Sequence, residues 1–182
     1  MVKARFLLLF FLLLSADINL FAQKSYRHEV GLNLGEFIPL LRTQGTNFDF
    51  NYRYKPDTIY AGRLAMKYWK VTDTEGSINL GIKAGIDRII SNGNKLGVII
   101  AADAIYEYQW YEIDQRNKNT IGAVLSIGFI YRLAERISLR TEPGFFWKYV
   151  QFRDPQSFES PFREWNELFI GNIGQVLLNF RF

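Results

Sequence analysis

Few residues in this chain carry the chemistry that catalysis requires. The 182 residues include one histidine, His28, and no cysteine, which excludes disulfides and thiolate metal sites. Asp103 and Glu107 form a carboxylate pair four residues apart, but bases lie beside them and structural salt bridging is the favoured interpretation. The acidic segments DTEG and EIDQ lack the spacing of a calcium-binding loop. The sequence therefore predicts no catalytic residue, no metal and no cofactor.

The charged residues are scattered along the chain and alternate with apolar ones. Lys and Arg number 22 against 18 Asp and Glu, for a formal charge of +4. Without a basic cluster, no nucleic-acid partner is expected. In TNFDFNYRYK, residues 46–55, every second side chain from Phe48 onward is aromatic and those between are polar. Because successive side chains of a strand point to opposite faces, this segment is predicted to be a strand with one aromatic face.

Similar alternation recurs in eight runs, which predicts an all-β fold, an eight-stranded antiparallel up-and-down transmembrane β-barrel. The runs are residues 26–38, 46–55, 58–69, 77–89, 96–111, 120–133, 136–149 and 166–182. Most of them are longer than the strands of soluble proteins and suit a tilted strand that crosses a hydrocarbon layer.

The connections between the runs alternate in length. KPD, SNGN and AE are short, whereas PLLRTQG, KVTDTEG, EIDQRNKN and QFRDPQSFESPFREW are longer and more polar. Outer-membrane barrels have short periplasmic turns and long extracellular loops. The short connections are therefore expected to face the periplasm.

The N-terminal segment predicts export. Lys3 and Arg5 precede an apolar run, residues 6–14, that is too short to span a bilayer as a helix. This pattern is typical of a cleaved signal peptide. We expect a signal peptide at residues 1–22 and an outer-membrane β-barrel domain at 23–182.

Aromatic residues are more abundant than one small soluble core normally needs. They make up 16% of the chain, with 16 Phe, 10 Tyr and 4 Trp. Amphipathic rings collect at the two surfaces of a membrane. Two girdles are predicted, one at the loop side and one at the turn side, with the members Tyr54, Tyr60, Trp110, Tyr131, Trp147, Trp165 and Phe182.

The last run, GQVLLNFRF, carries the most specific resemblance. With the strand and turn pattern of residues 24–182, it resembles the small eight-stranded outer-membrane barrels, of the OmpX and OmpA-barrel type and especially the short barrel proteins of the Bacteroidota envelope. In that family an alternating last strand that ends in Phe is the signal for the barrel-assembly machinery. The resemblance implies residence in the bacterial outer membrane, contact with lipid and lipopolysaccharide, and recognition of this strand by that machinery.

A barrel of eight strands is only just wide enough for its own side chains. The charges opposite the apolar faces are therefore expected to meet inside as a paired network that plugs the lumen. Its predicted members are Glu29, Asp49, Arg53, Arg63, Lys67, Lys83, Asp87, Asp103, Glu107, Arg132, Arg140, Glu142 and Arg181.

Two alternatives belong to other functional classes. A lipid-modifying outer-membrane enzyme would need a histidine near the outer leaflet, whereas His28 is expected at the periplasmic side as a solvated residue at a strand end. A secreted lipocalin-like barrel would carry its apolar faces inside, around a ligand pocket. Alternation alone does not tell the inside from the outside.

Specific contacts are expected in the long segment 151–165. Aromatic and basic residues alternate there, and a loop on a rigid scaffold commonly carries binding residues. The candidates for contact with a protein or glycan partner are Phe152, Arg153, Phe158, Phe162 and Arg163. A loop that packs its own phenylalanines over the barrel mouth is the competing interpretation. The predicted function is thus non-enzymatic, in envelope structure or in surface interaction through extracellular loops.

Overall fold

The computed structural model describes residues 26–34, 46–57, 59–71, 76–112, 115–157, 161–171 and 176–182, with the backbone alone at 46–49 and 71. The predicted signal peptide, residues 1–22, lies outside the described residues. Within them, no helix has the length and apolar character needed to cross a membrane.

The described chain folds into strands joined in one antiparallel sheet. The strands are β1 (His28–Asn33), β2 (Thr46–Tyr54), β3 (Tyr60–Val71), β4 (Ser77–Asn92), β5 (Leu96–Tyr111), β6 (Asn117–Arg132), β7 (Ile137–Thr141), β8 (Gly144–Arg153), β9 (Phe162–Gly171) and β10 (Leu177–Arg181).

The sheet closes on itself. Consecutive strands pair from β1 to β7, β7 pairs with β10, and β10 returns to β1. The closing pair places Glu29 opposite Arg181 and Asn33 opposite Leu177. The predicted eight-stranded antiparallel barrel is confirmed. The ten strand segments occupy eight positions around the barrel, because β7 and β8 together form the seventh position and β9 and β10 together form the eighth.

The seventh position is interrupted at Glu142 and Pro143. Strand β6 pairs with β7 through Phe129–Arg132 and with β8 through Asn117–Ser126. Proline has no N–H to donate to a ladder, so it interrupts a strand inside a sheet. The carbonyl of Pro143 still accepts the N–H of Ile127 at 3.1 Å, which keeps the two halves aligned along one partner strand.

Several strand boundaries differ by a few residues from the predicted runs, and two of them border the longest connection. The seventh position extends to Arg153, beyond the predicted end at 149, and β9 begins at Phe162 rather than at 166. The hairpin continues because Phe152 pairs with Arg163 and Arg153 with Phe162. The polar, proline-containing composition of 151–165 hid this alternation, and the connection between the two strands spans only residues 154–161.

The three short connections lie at one end of the barrel, together with Phe182. Each is hydrogen-bonded to the end of a neighbouring strand: Lys55 N to Arg27 O at 2.8 Å, Arg132 N to Lys95 O at 2.9 Å, and Arg181 N to Arg136 O at 2.9 Å. Phe182 and His28 exchange two backbone hydrogen bonds, at 3.0 and 3.2 Å. We call this the short-turn end and the opposite one the long-loop end.

The barrel has a polar inside and an apolar outside. Along β6, buried and exposed side chains alternate strictly from Thr120 to Tyr131. The exposed members are apolar, with Leu125 at 61% and Ile127 at 50% exposure. The buried set is rich in polar and charged side chains, among them Glu29, Arg53, Asp87, Ser138, Arg140 and Asn179. This distribution is the inverse of the usual one in water-soluble proteins.

Candidate functional site: a buried salt-bridge ring

Arg53 is the first of three arginines that organise the lumen. Its guanidinium binds Asp87 through two hydrogen bonds, from Nε to Oδ2 at 2.7 Å and from Nη2 to Oδ1 at 2.5 Å. The remaining Nη1 donates to Glu29 Oε1 at 3.1 Å. A planar guanidinium matches a carboxylate through two parallel bonds, which fixes the orientation of both groups. Arg53 therefore links β1, β2 and β4 from inside the barrel.

Arg63 extends this contact to the other side of the lumen. It donates from Nη2 to Asp103 Oδ2 and to Glu142 Oε2, each at 2.7 Å. Its Nη1 lies 3.9 Å from Asp87 Oδ2. Strands β3, β4 and β5 and the break in the seventh position thereby meet at one guanidinium.

Arg140 closes the network into a cycle. Its Nε lies 2.9 Å from Glu142 Oε1, and its Nη1 donates to Glu29 Oε1 at 3.3 Å. Acids and bases alternate around the cycle, which we call the salt-bridge ring: Glu29, Arg53, Asp87, Arg63, Glu142 and Arg140.

Burial makes this ring costly to disturb. Every member of the salt-bridge ring is buried, so each charge has lost its water and depends on its partners. The cavity bordered by Asn51, Arg53, Arg63, Lys83 and Arg140 leaves no volume that a water molecule could occupy. The salt-bridge ring is therefore closely packed where these side chains meet.

Two cations extend the ring toward the short-turn end. Lys55 Nζ lies 3.1 Å and Arg181 Nε 3.3 Å from Glu29 Oε2. Arg181 was among the predicted members, but Lys55 was not. Lys55 directly follows β2, two residues after Arg53, so the alternation of β2 continued past Tyr54 assigns it to the inner face. This alternation is the sequence signal that could have included it.

The other predicted network residues lie outside the ring. Lys83 borders the same cavity, and Glu107 pairs with Lys148 at 2.9 Å, a partner that the sequence did not suggest. Lys67 lies over the ring of Trp69. Arg132 lies apart, where its guanidinium donates to the carbonyls of Gly93 and Asn94 in a short turn, because β6 ends there. The side chain of Asp49 lies outside the described part.

An apolar layer lies above the ring, toward the long-loop end. Ile105, Val124 and Phe146 form a buried cluster, and Phe146 stacks on Phe169 of β9 with ring centroids 5.0 Å apart. These residues are on the inner faces of β5, β6, β8 and β9. The inner face therefore carries a charged layer and, above it, an apolar one.

Six of the seven predicted girdle residues are exposed on the outer face. Tyr54, Tyr60, Tyr131 and Phe182 lie at the short-turn end and Trp110 at the long-loop end. Trp147 is also exposed, but because β8 continues to Arg153 it lies six residues inside the strand.

Trp165 is the exception. It pairs with the buried Val150 and so belongs to the inner face of β9. Its indole N–H donates to Glu167 at 2.7 Å, and Lys118 lies 5.7 Å from the ring centroid. The prediction failed here because the start of β9 was set after Trp165, which removed the residue from the alternation that assigns its face.

The predicted binding residues of segment 151–165 lie mostly on strands. Phe152 and Arg153 end β8, and Phe162 and Arg163 begin β9. Arg153 lies over the ring of Phe162, 5.5 Å from its centroid. Phe158 lies outside the described residues.

His28 is packed at the short-turn end rather than freely solvated. Its ring lies 5.2 Å from that of Tyr54 and 5.8 Å from that of Phe182, and its Nδ1 is 2.7 Å from the hydroxyl of Tyr52. In the part of the chain that the structure describes, no group of three or more His, Cys, Asp or Glu side chains could hold a metal ion.

No protein-family model matches the chain, and no curated protein matches it either. The resemblance to small outer-membrane barrels is supported at the level of the fold by the closed eight-stranded barrel. The finer family assignment stays a prediction.

Proposed function

We propose that this protein is an integral outer-membrane β-barrel with a sealed lumen, which serves envelope structure or surface interaction through its loops. The observation that carries the proposal is the inversion of its two faces. Exposed leucine, isoleucine and aromatic side chains cover the outside, while the salt-bridge ring occupies the inside. An apolar outer surface of this extent is unfavourable in water and favourable in lipid. The ring also occupies the space in which a lipocalin-like barrel would hold an apolar ligand.

A sealed lumen supports a structural or binding role over transport. The salt-bridge ring and the apolar layer of Ile105, Val124 and Phe146 block the barrel in succession. An eight-stranded barrel has no spare width beyond its own side chains. We therefore expect no stable conductance of porin size in planar bilayers.

The proposed orientation puts the short-turn end in the periplasm. Connections of outer-membrane barrels are short on that side and long on the cell surface, so the connection at 154–161 would be extracellular. The outer apolar face would contact lipid and lipopolysaccharide, and β10 with Phe182 would be the segment that the assembly machinery recognises. The loops would carry any contact with a protein or glycan partner.

The proposed location is tested with the native protein from an envelope fraction washed with carbonate. Electrophoresis in SDS is run on unheated and on boiled samples. A compact form that shifts only on boiling, retained in the washed membranes, is the expected result. Recovery in the soluble fraction without a heat-dependent shift would refute membrane insertion.

The orientation is tested with two single-cysteine variants, which is straightforward because the chain has no cysteine. Gln156→Cys lies in the long connection and Asn94→Cys in a short turn, and both positions are exposed. On intact cells, a membrane-impermeant maleimide should label Gln156→Cys alone, and both variants after permeabilisation. Labelling of Asn94→Cys on intact cells would reverse the proposed orientation.

A further inference from the structure

The strand pair that closes the barrel lacks the constraint that sets the other registers. The other neighbouring barrel positions are consecutive in the chain and joined by a connection, and the turn type and length of such a connection fix the register of the pair. The closing pair instead joins β1 to β10, with Glu29 and Arg181 separated by 152 residues of sequence. Its register therefore has to come from contacts between side chains.

The alternation of apolar and polar residues excludes some registers of the closing pair but not all. A slip by one residue would exchange the two faces of β10, because parity alone sets the face. A slip by two residues would preserve them. Leu178, which lies opposite Leu32, would then lie opposite Val30, and both partners are apolar. The choice between these registers must be made by more specific contacts.

Glu29 makes the first contact that distinguishes the registers. Its Oε2 lies 3.3 Å from Nε of Arg181, the residue opposite on β10, and its Oε1 lies 3.3 Å from Nη1 of Arg140 on β7. Glu29 is 1% exposed, so water does not replace a lost partner. A two-residue slip in one direction would place Asn179 opposite Glu29 and would set Arg181 against Arg27, a pair of like charges that is unfavourable.

Gly31 and Asn179 make the second contact. They lie directly opposite each other on the inner face, and the side chain of Asn179 is fully buried. A Cβ atom at position 31 would overlap Oδ1 of Asn179, so the amide occupies the space that the glycine leaves open. A two-residue slip would place either Glu29 or Asn33 opposite Asn179, and both residues carry a side chain at that point. The observed register is thus the one that matches a buried amide with a glycine.

Arg181 connects β10 to the strands on both of its sides. Besides its contact with Glu29 of β1, its Nη2 donates to Oγ of Ser138 on β7 at 3.4 Å. Ser138 is itself fully buried and lies opposite Asn179. One guanidinium therefore holds the short-turn end of β10 in register with two neighbours.

We propose that Glu29, Gly31, Asn179 and Arg181 form a register lock, which selects one register when β10 closes the barrel against β1. Among the registers that preserve the two faces, the observed one matches charge at Glu29 and size at Gly31 together. The register at closure sets the shear of a barrel, and with it the strand tilt and the width. The register lock thereby also determines whether Arg140 can reach Glu29 and complete the salt-bridge ring. It goes beyond the proposed membrane role, because folded protein in detergent retains the register whatever its location in the cell.

Disulfide trapping measures the register directly, because the chain has no cysteine of its own. Leu32→Cys with Leu178→Cys reports the observed register, in which these residues are opposite each other. Val30→Cys with Leu178→Cys reports a slip by two residues. All three positions are on the outer face, so the register lock stays intact. In the observed register the second pair is diagonal, with Cα atoms about 7–8 Å apart, which is too far for a disulfide.

The full barrel is refolded in detergent and then oxidised, and cross-linking is scored only in molecules that keep the compact form in unheated SDS electrophoresis. We expect the opposite pair to cross-link at least about tenfold more than the diagonal pair. Equal cross-linking of the two pairs would show that the closing register is not selected, and it would overturn the proposal.

Variants of the register lock test the residues assigned to it. Gly31→Ala and Arg181→Gln, each combined with both cysteine pairs, should lower the ratio of opposite to diagonal cross-linking by about fivefold or more. Arg181→Lys keeps the charge and should retain most of that ratio. The matched controls are Gly62→Ala, where a Cβ atom meets nothing within 4 Å, and Lys95→Gln, at an exposed cation of the second short turn. Both controls should leave the ratio unchanged. An unchanged ratio in the compact forms of Gly31→Ala and Arg181→Gln would overturn the proposal, even if both variants folded with lower yield.

Discussion

Arg63 is the residue on which the buried charge network depends most. It contacts Asp87, Asp103 and Glu142, and its side chain is 5% exposed. Removing one partner of a buried ion pair leaves the other charges without water and without compensation. Arg63→Met should therefore lower the free energy of unfolding by about 3–5 kcal/mol, as measured by denaturant titration in detergent.

Lys70 provides the matched control for Arg63. Its pair with Glu112 spans 3.3 Å, with side chains 39% and 41% exposed. Because water screens such a pair, Lys70→Met should change the free energy of unfolding by less than about 1 kcal/mol. Equal effects of Arg63→Met and Lys70→Met would contradict the structural role assigned to the salt-bridge ring.

Asp57 lies in the first short turn, outside the barrel wall, and makes a pH-dependent contribution to the stability of the fold. Its Oδ1 accepts the backbone N–H groups of Tyr60 and Ile59, each at 2.7 Å. These bonds, that from Tyr60 first, lower the pKa of Asp57 below its ordinary value. A lowered pKa stabilises the fold above the ordinary value, and this contribution is lost as the pH falls through the folded value. The stability difference between native protein and Asp57→Ala should thus be constant near about pH 7 and shrink below about pH 4. A difference that grows on acidification would refute this role.

At the scale of the element, β4 shows why glycine occurs on the inner face. A Cβ atom at Gly85 would overlap the carbonyl oxygen of Ala102 and the side chain of Asp103. Gly62, on the outer face of β3, has no atom within 4 Å of the corresponding position. Gly85→Ala should destabilise the barrel by about 1–3 kcal/mol through overpacking, and Gly62→Ala should stay within about 1 kcal/mol of the native protein. Equal unfolding midpoints for the two variants would show that the inner wall is not tightly packed at Gly85.

The elements also show how far the sequence predicts local structure. Strand β5 was predicted with its observed ends, 96 and 111, because alternation there is continuous and Asn92–Gly93 marks the preceding turn. The seventh run was predicted as continuous, but it breaks at Pro143. The start of β9 was missed because Pro161 and several charges lie around it, although its pairing with β8 continues to Phe162.

At the scale of the whole molecule, the outer face distinguishes a barrel in lipid from one in water. Leu125 lies in the middle of β6 on that face, and Tyr131 lies near its short-turn end. In a bilayer, Leu125→Arg should cost about 2–4 kcal/mol and Tyr131→Arg about 0–1 kcal/mol, because the penalty depends on depth. Folding into lipid vesicles, followed by denaturant titration, measures both. An equal, small effect of the two substitutions would argue against membrane insertion.

The sequence by itself determined the period of two, the number of barrel strands and the separation of apolar and polar faces. These properties depend on neighbours within one strand, where side-chain direction follows from parity alone. The same parity assigned Glu29, Arg53, Arg63, Asp87, Arg140 and Glu142 to one surface.

Only the tertiary structure decided which surface is enclosed and which charges meet. Arg140 reaches Glu29 across 111 residues of sequence and Arg63 reaches Glu142 across 79. Such contacts depend on strand register and on closure of β10 against β1, and both are set by the whole sheet. For the same reason Trp165 lies on the inner face, beside Lys118, and not in the outer girdle.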